Sequence, residues 1–217
     1  MRLIMKKIYS LFLTLLLLAP SSINAEETRL VSNTLFQYEL PSDRWQVSQK
    51  APQLAIDAMY VDLVHGKEKK DESYDPEKLK AIAEKFLNTN NLYIFNAETE
   101  AYLMVSIAPF EEESGIPGKK SIMASAKWAA EAIAEHAEVE NLSTYNTSVE
   151  MLEIPGFKYA AKVDSNYPLF GEPHHFIGII GYSHPYWVFI YYNDKLKQSQ
   201  DLSEIKKLLD SFKFDKM

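Results

Sequence analysis

From residue 34 onward, apolar and polar residues alternate with two different periods, and the switches between them mark out the elements. Residues 34–40, TLFQYEL, alternate one by one, which is the period of a half-buried strand, and Pro41-Ser-Asp halts them. Trp45-Gln-Val47 resumes a second short strand. Residues 54–64, LAIDAMYVDLV, form an apolar run interrupted by Asp57 and Asp62; it is readable as strand or helix, and a strand over 59–64 is the expectation. The segment 66–74, GKEKKDESY, reads as an exposed charged loop. A helix follows, with Asp75 as N-cap, Pro76 in the first helical position and Glu77 at the positive end of the dipole. Leu79, Ile82, Ala83, Phe86 and Leu87 recur at helical spacing as one buried face, and Asn88-Thr-Asn-Asn91 ends it. Residues 92–95 and 102–109 then predict a hairpin, and 111–120 a loop into a second helix over 121–137.

After that helix the pattern turns to strands, at 149–154, 157–164, 175–182 and 186–192. The last of these carries Tyr186, Val188, Ile190 and Tyr192 on one face and Trp187, Phe189 and Tyr191 on the other. Apolar residues on both faces require cover on both, as in a central strand. Asp201-Leu-Ser-Glu204 has the form of a capping box, and Leu202, Ile205, Leu209 and Phe212 give a third amphipathic helix. The order ββ(β)αββαββββα is dominated by hairpins, so the expected class is α+β: a mainly antiparallel sheet covered by helices.

Composition changes this picture first at the N-terminus. Residues 1–25 read MRLIMKK, then an apolar stretch of 12 residues from Ile8 to Ala19, then Pro20-Ser-Ser and Ala25 before an acidic pair. A basic start, a short apolar run and a small residue before the cut form a secretory signal peptide of bacterial type. Twelve helical residues span roughly 18 Å, well short of the ~30 Å hydrocarbon core, which favours a cleaved signal peptide, the alternative being an uncleaved N-terminal anchor. No later window approaches a transmembrane length. The expected destination is the periplasm or the exterior, with 26–217 as a single domain.

Arg2, Lys6 and Lys7 are the charged residues of that leader, so the remaining 192 residues hold 20 basic and 30 acidic side chains, a formal −10. That balance disfavours a nucleic-acid partner, whose phosphates require basic neutralisation. The chain has no cysteine, which excludes thiol catalysis, thiolate metal sites and disulfides.

Two stretches carry a resemblance. Tyr38-Glu-Leu-Pro41 followed by Trp45, and the aromatic strand WVFIYY at 187–192 with a helix closing on Leu209-Asp-Ser-Phe212, are similar to the opening and the end of the PsbP-like superfamily. The resemblance covers about a quarter of the mature chain. It implies an α/β/α sandwich around an antiparallel sheet, with helices on both faces, and an accessory or interaction role. It transfers no active site, because the matching residues are structural.

Candidate chemistry is sparse. Glu172, His174 and His175 form the cluster with metal-ligand chemistry, yet neighbouring strand residues point to opposite faces, so at most one of the two histidines joins a common site. His184 sits at the expected turn, about 23 Å along the strand from His175. Ser183-His184 lacks a nucleophile elbow, Glu111-Glu-Glu113 lacks calcium-loop spacing, and Gly118-Lys-Lys-Ser121 lacks the first glycine of a phosphate loop. The second helix has a stripe of small residues, Ala126, Ala129 and Ala130 among them, with Trp128 about 150° away beside Glu131 and Glu135. Trp128 with Glu131 and Glu135 is therefore the candidate interaction surface, the alternative being that Trp128 is covered. Many tyrosines remain, which either pair across strands or line a ligand groove.

The expected protein is thus an exported, non-enzymatic accessory or binding factor without a cofactor, recognising another envelope protein through its surface. The alternatives are a periplasmic hydrolase and a small-ligand carrier with an aromatic groove.

Overall fold

The computed structural model describes residues 26–31, 34–68, 70, 72–90, 92–110, 115–136, 146–169, 172–195 and 199–216. The expected signal peptide, residues 1–25, and the acidic run 111–113 lie outside them. In chain order the elements are β1 (Glu26–Val31), β2 (Thr34–Glu39), β3 (Gln46–Ser48), α1 (Gln53–Glu68), α2 (Pro76–Leu87), β4 (Leu92–Asn96) and β5 (Ala101–Pro109). They continue with α3 (Lys119–His136), β6 (Asn146–Leu152), β7 (Tyr159–Leu169), β8 (Glu172–Ser183), β9 (Tyr186–Lys195), α4 (Ser199–Ser211) and β10 (Lys213–Lys216).

Seven strands pair antiparallel in the order β3-β4-β5-β9-β8-β7-β6, and β1, β2 and β10 make a smaller antiparallel sheet. The strand with apolar residues on both faces, β9, lies at the centre of the large sheet, as its pattern requires. Its even-numbered face, with Val188, Ile190 and Tyr192, packs against Phe36 and Tyr38 of β2, Phe214 of β10, and Ile205 and Leu208 of α4. The other face is covered in two places. Ile122, Ala126 and Ala130 of α3 lie on Ala161, Val163, Ile180 and Tyr182, while Ala55 and Ile56 of α1 and Ala83 and Leu87 of α2 pack around Tyr93. The class is α+β with helices on both faces of an antiparallel sheet. Among the described residues no helix is long and apolar enough to cross a membrane.

The two stretches that carry the PsbP-like resemblance meet in space. The rings of Tyr38 and Phe212 are 6.5 Å apart, and Trp45 Nε1 donates to Glu204 Oε2 at 2.7 Å. That carboxylate also receives Arg44 Nη1 at 3.1 Å, while Arg44 Nη2 reaches the fully buried Asp201 at 2.9 Å. Asp201 and Glu204 therefore do not form the expected capping box. Helix α4 starts at Ser199, two residues before Asp201, and both carboxylates turn inward to bind the β2–β3 connection. Burial pulls Glu204 up, but the hydrogen bonds from Trp45 and Gln200 and the Arg44 charge outweigh it and hold its carboxyl below the usual range.

Three further expectations change. Residues 59–64 are helical, not strand, and α1 runs on through Glu68 into the expected loop. Ala55, Ile56, Met59, Tyr60 and Leu63 recur at helical spacing against α2, while Ala58 and Val61 are apolar on a second side, which blurs the period. In α2 the Asp75 cap forms as expected, with its side chain accepting from the Glu77 and Lys78 N–H groups. Its buried stripe is narrower than the pattern suggests: Leu79, Ala83 and Leu87 are buried, whereas Ile82 and Phe86 are 52% and 61% exposed. Finally, β1 and β10 flank β2 in the small sheet without a sequence signal strong enough to name them.

Candidate functional site

The helix layer on the odd-numbered face of β9 does not close. Between α1 and α3 runs a groove of two adjoining spaces, about 240 Å³ and about 460 Å³, which share Ala58, Tyr102 and Asn193 as lining. Strand alternation sets its floor, because Tyr102 and Met104 of β5, Tyr191 and Asn193 of β9 and Phe176 of β8 all project to this side. Its walls hold small residues, Ala55 and Ala58 from α1 and Ala132 from α3, beside the larger Met59 and Ile133. The rings form a row along the sheet. Trp187 and Phe189 are 6.1 Å apart, Phe189 and Tyr191 6.3 Å, and Tyr191 and Phe176 5.7 Å. Gly178, paired with Tyr191 across the ladder, leaves room for this row. A Cβ there would stand 2.8 Å from the Phe176 ring.

Polar groups punctuate the apolar floor. Asn193 Nδ2 donates to Tyr102 Oη at 3.5 Å, and Asn193 Oδ1 is buried with no hydrogen-bond partner among the described residues. Burial pushes the Tyr191 hydroxyl up to about 12, and those of Tyr102 and Tyr167 also upward, so all three are neutral donors at physiological pH. The outer end carries charges, with Lys195 Nζ 2.8 Å from Glu100 Oε2 and Asp57 bound by Gln53. A space of this size with an apolar floor and a few polar groups suits a small amphipathic molecule.

The sequence-derived candidates fall in separate places. His174 and His175 occupy successive positions of β8 and so face opposite sides of the sheet. His174 lies at the groove end, its ring 5.9 Å from Tyr167. His175 is buried on the other face, where its Nε2 is 2.8 Å from Asp164 Oδ1. The His175 hydrogen bond, with the nearby Lys162, holds the Asp164 carboxyl below its ordinary range. The side chain of Glu172 lies outside the described residues, as do those of Glu135 and His136. Among the described residues no three His, Asp or Glu side chains converge at metal-binding distance. His184 stands in the β8–β9 turn and shares a 2.8 Å hydrogen bond with Tyr182. On α3, Trp128 is 72% exposed and Glu131 is exposed beside it.

The groove residues Tyr102, Met104, Phe176 and Asn193 escaped the sequence reading. Tyr191 lay in a pattern that showed its face, and the alanines opposite it are the one local sign that cover there is thin.

No family model and no curated protein matches the sequence. Solved structures similar to it include that of LpqN, involved in cell envelope biogenesis of Mycobacterium tuberculosis. It aligns with a TM-score of 0.50 and 8% identity over 88% of this chain and 90% of that one. The cyanobacterial PsbP of Synechocystis sp. PCC 6803 aligns with a TM-score of 0.47 and 7% identity, over 89% of this chain and 95% of that one. At such identity the likeness to LpqN is one of fold, and that fold is the layered antiparallel α+β architecture which the PsbP-like resemblance implied.

Proposed function

We propose that this chain is an exported accessory protein of the cell envelope, whose residues 26–217 act as one recognition domain and whose groove holds an amphipathic small molecule. The observation that carries the reading is the groove itself: an apolar floor of Met104, Phe176 and Tyr191 that ends at the unsatisfied Asn193 amide. An alkyl or isoprenoid chain would cover the rings, and a hydroxyl-bearing head would give Asn193 Oδ1 the donor it lacks. Asp57 and Asp62 at the groove favour a neutral or cationic head over an anionic one, Glu100 being paired with Lys195. Binding is favoured over catalysis because the floor of the groove consists of rings, Met104 and the Asn193 amide, while the His175–Asp164 pair belongs to the opposite face. LpqN, which shares the fold, is a protein of cell envelope biogenesis, and the signal-like leader of this chain agrees with such a location.

The test is calorimetric titration with a neutral alkyl glycoside below its micelle concentration. Ala58→Trp, which fills the space shared by both halves of the groove, is expected to abolish the binding heat while leaving the fold intact. Binding that survives Ala58→Trp undiminished, or no binding by the unmodified chain, refutes the assignment.

A further inference from the structure

One surface carries features that neither the groove nor the core uses. The outward side of α3 and the neighbouring edge strand β6 enclose a shallow hollow lined by Lys119, Lys120, Met123, Ala124, Lys127 and Met151. The three lysines are exposed, and none of them makes an ion pair among the described residues. That is unexpected in a body with a formal charge of −10, where carboxylates outnumber cations by 30 to 20. Trp128 follows Lys127 directly and is 72% exposed, the most exposed large apolar side chain described. Ile116, three residues before the helix, is 60% exposed, and Met151 is exposed at the rim of the hollow. At about 100° per residue, Lys120, Ala124, Lys127 and Trp128 fall within an arc of about 100°. Two acids, Glu131 and Glu135, hold positions in the same arc, one and two turns nearer the C-terminal end, so the cationic part of the face is the N-terminal half of the helix.

We propose that this face of α3 docks on an anionic phospholipid surface, with the lysines on the headgroups and Trp128, Met123 and Ile116 at the acyl boundary. Cations and apolar side chains interleave along the outward side of the helix, the arrangement that lets ammonium groups reach headgroup depth on their aliphatic stems while an indole settles at the interface. Acidic side chains outnumber basic ones in the rest of the body and are repelled by the same lipids, so charge favours the lysine end of α3 as the contact. An acidic protein partner would use the charges, but it would not require the exposed indole of Trp128 and Met151 beside them. The inference stands apart from the groove and does not depend on its occupant.

The experiment uses the chain from Glu26 onward, which holds every described element, and vesicles of phosphatidylcholine with or without phosphatidylglycerol at low salt. Co-sedimentation is expected only with phosphatidylglycerol present, weakening as salt rises. Brominated lipid should quench emission in the unmodified chain and not in Trp128→Phe, since Trp45 is buried and Trp187 half-buried. Neutralising Lys120 and Lys127 together, K120Q/K127Q, should weaken binding roughly 25-fold, about fivefold for each lysine. Equal binding to uncharged vesicles overturns the proposal, as does no binding, or a double variant that binds like the parent. Tight binding of polyglutamate without any vesicle binding also overturns it, in favour of an acidic protein. Thermal melting of each variant separates lost docking from lost folding, and the salt dependence and quenching of the unmodified chain decide the matter even if a variant fails to fold.

Discussion

Two faces of one strand take opposite fates in this molecule. Along β9, Val188, Ile190 and Tyr192 are fully buried, whereas Trp187, Phe189 and Tyr191 on the alternate positions are only half-buried. The difference lies in what is laid over each side. The sealed face receives Phe36, Phe212 and Phe214, whose rings interlock at 4.8 Å between centroids, with Ile205 and Leu208 between them. The other face receives helices that set alanines, Ala55, Ala58, Ala126, Ala130 and Ala132, between their larger inward residues, and α1 and α3 stand apart over the middle of the sheet. Large side chains fill the space between layers to crystal-like density, and small ones leave a groove.

The largest test of this contrast is a pair of neighbours. Tyr192→Ala on the sealed face is expected to cost about 3–5 kcal/mol, and Tyr191→Ala on the groove face only about 1–2 kcal/mol, measured by urea denaturation. Equal losses would mean that the groove face is as tightly packed as the other. The second test concerns Asp194, buried at the end of β9 and bonded by the Tyr192 hydroxyl. Burial raises its pKa to about 6, against the ordinary value near 3.8. A raised folded-state pKa means the folded protein holds the proton more tightly, so this stabilisation is complete below about pH 4 and lost as pH rises through about 6. Asp194→Asn should therefore stabilise the protein by about 2 kcal/mol at pH 8 and flatten the decline between pH 4 and 6. A variant with the parent's pH profile would remove Asp194 as its source. The smallest effect belongs to Trp128→Ala, expected within about 0.5 kcal/mol of the parent because the indole packs on little. A loss of several kcal/mol would show that Trp128 is a packing residue after all.

Most elements were legible in the sequence because their signals are local. The Asp75 cap, the 92–109 hairpin and the two-sided pattern of β9 each rest on residues a few positions apart. Where a local rule misled, a distant residue had claimed the side chain. Asp201 and Glu204 have capping-box spacing, yet Arg44 and Trp45, more than 150 positions away, hold them. Residues 59–64 read as strand because α1 is apolar on two sides, one toward α2 and one toward the groove. The groove itself was half legible. The face of Tyr191 could be counted off along the strand, but its neighbours Tyr102 and Phe176 arrive from β5 and β8 through pairings that no local pattern specifies.

The sequence alone therefore determined most of the elements, the central place of β9 and the charge of the body, since periodicity and composition are properties of neighbouring residues. Which aromatic face is sealed and which is left open was decided only in the tertiary structure. Closure depends on the volume that distant elements bring to the same spot: phenylalanines from the chain's two ends on one side, alanines from α1 and α3 on the other.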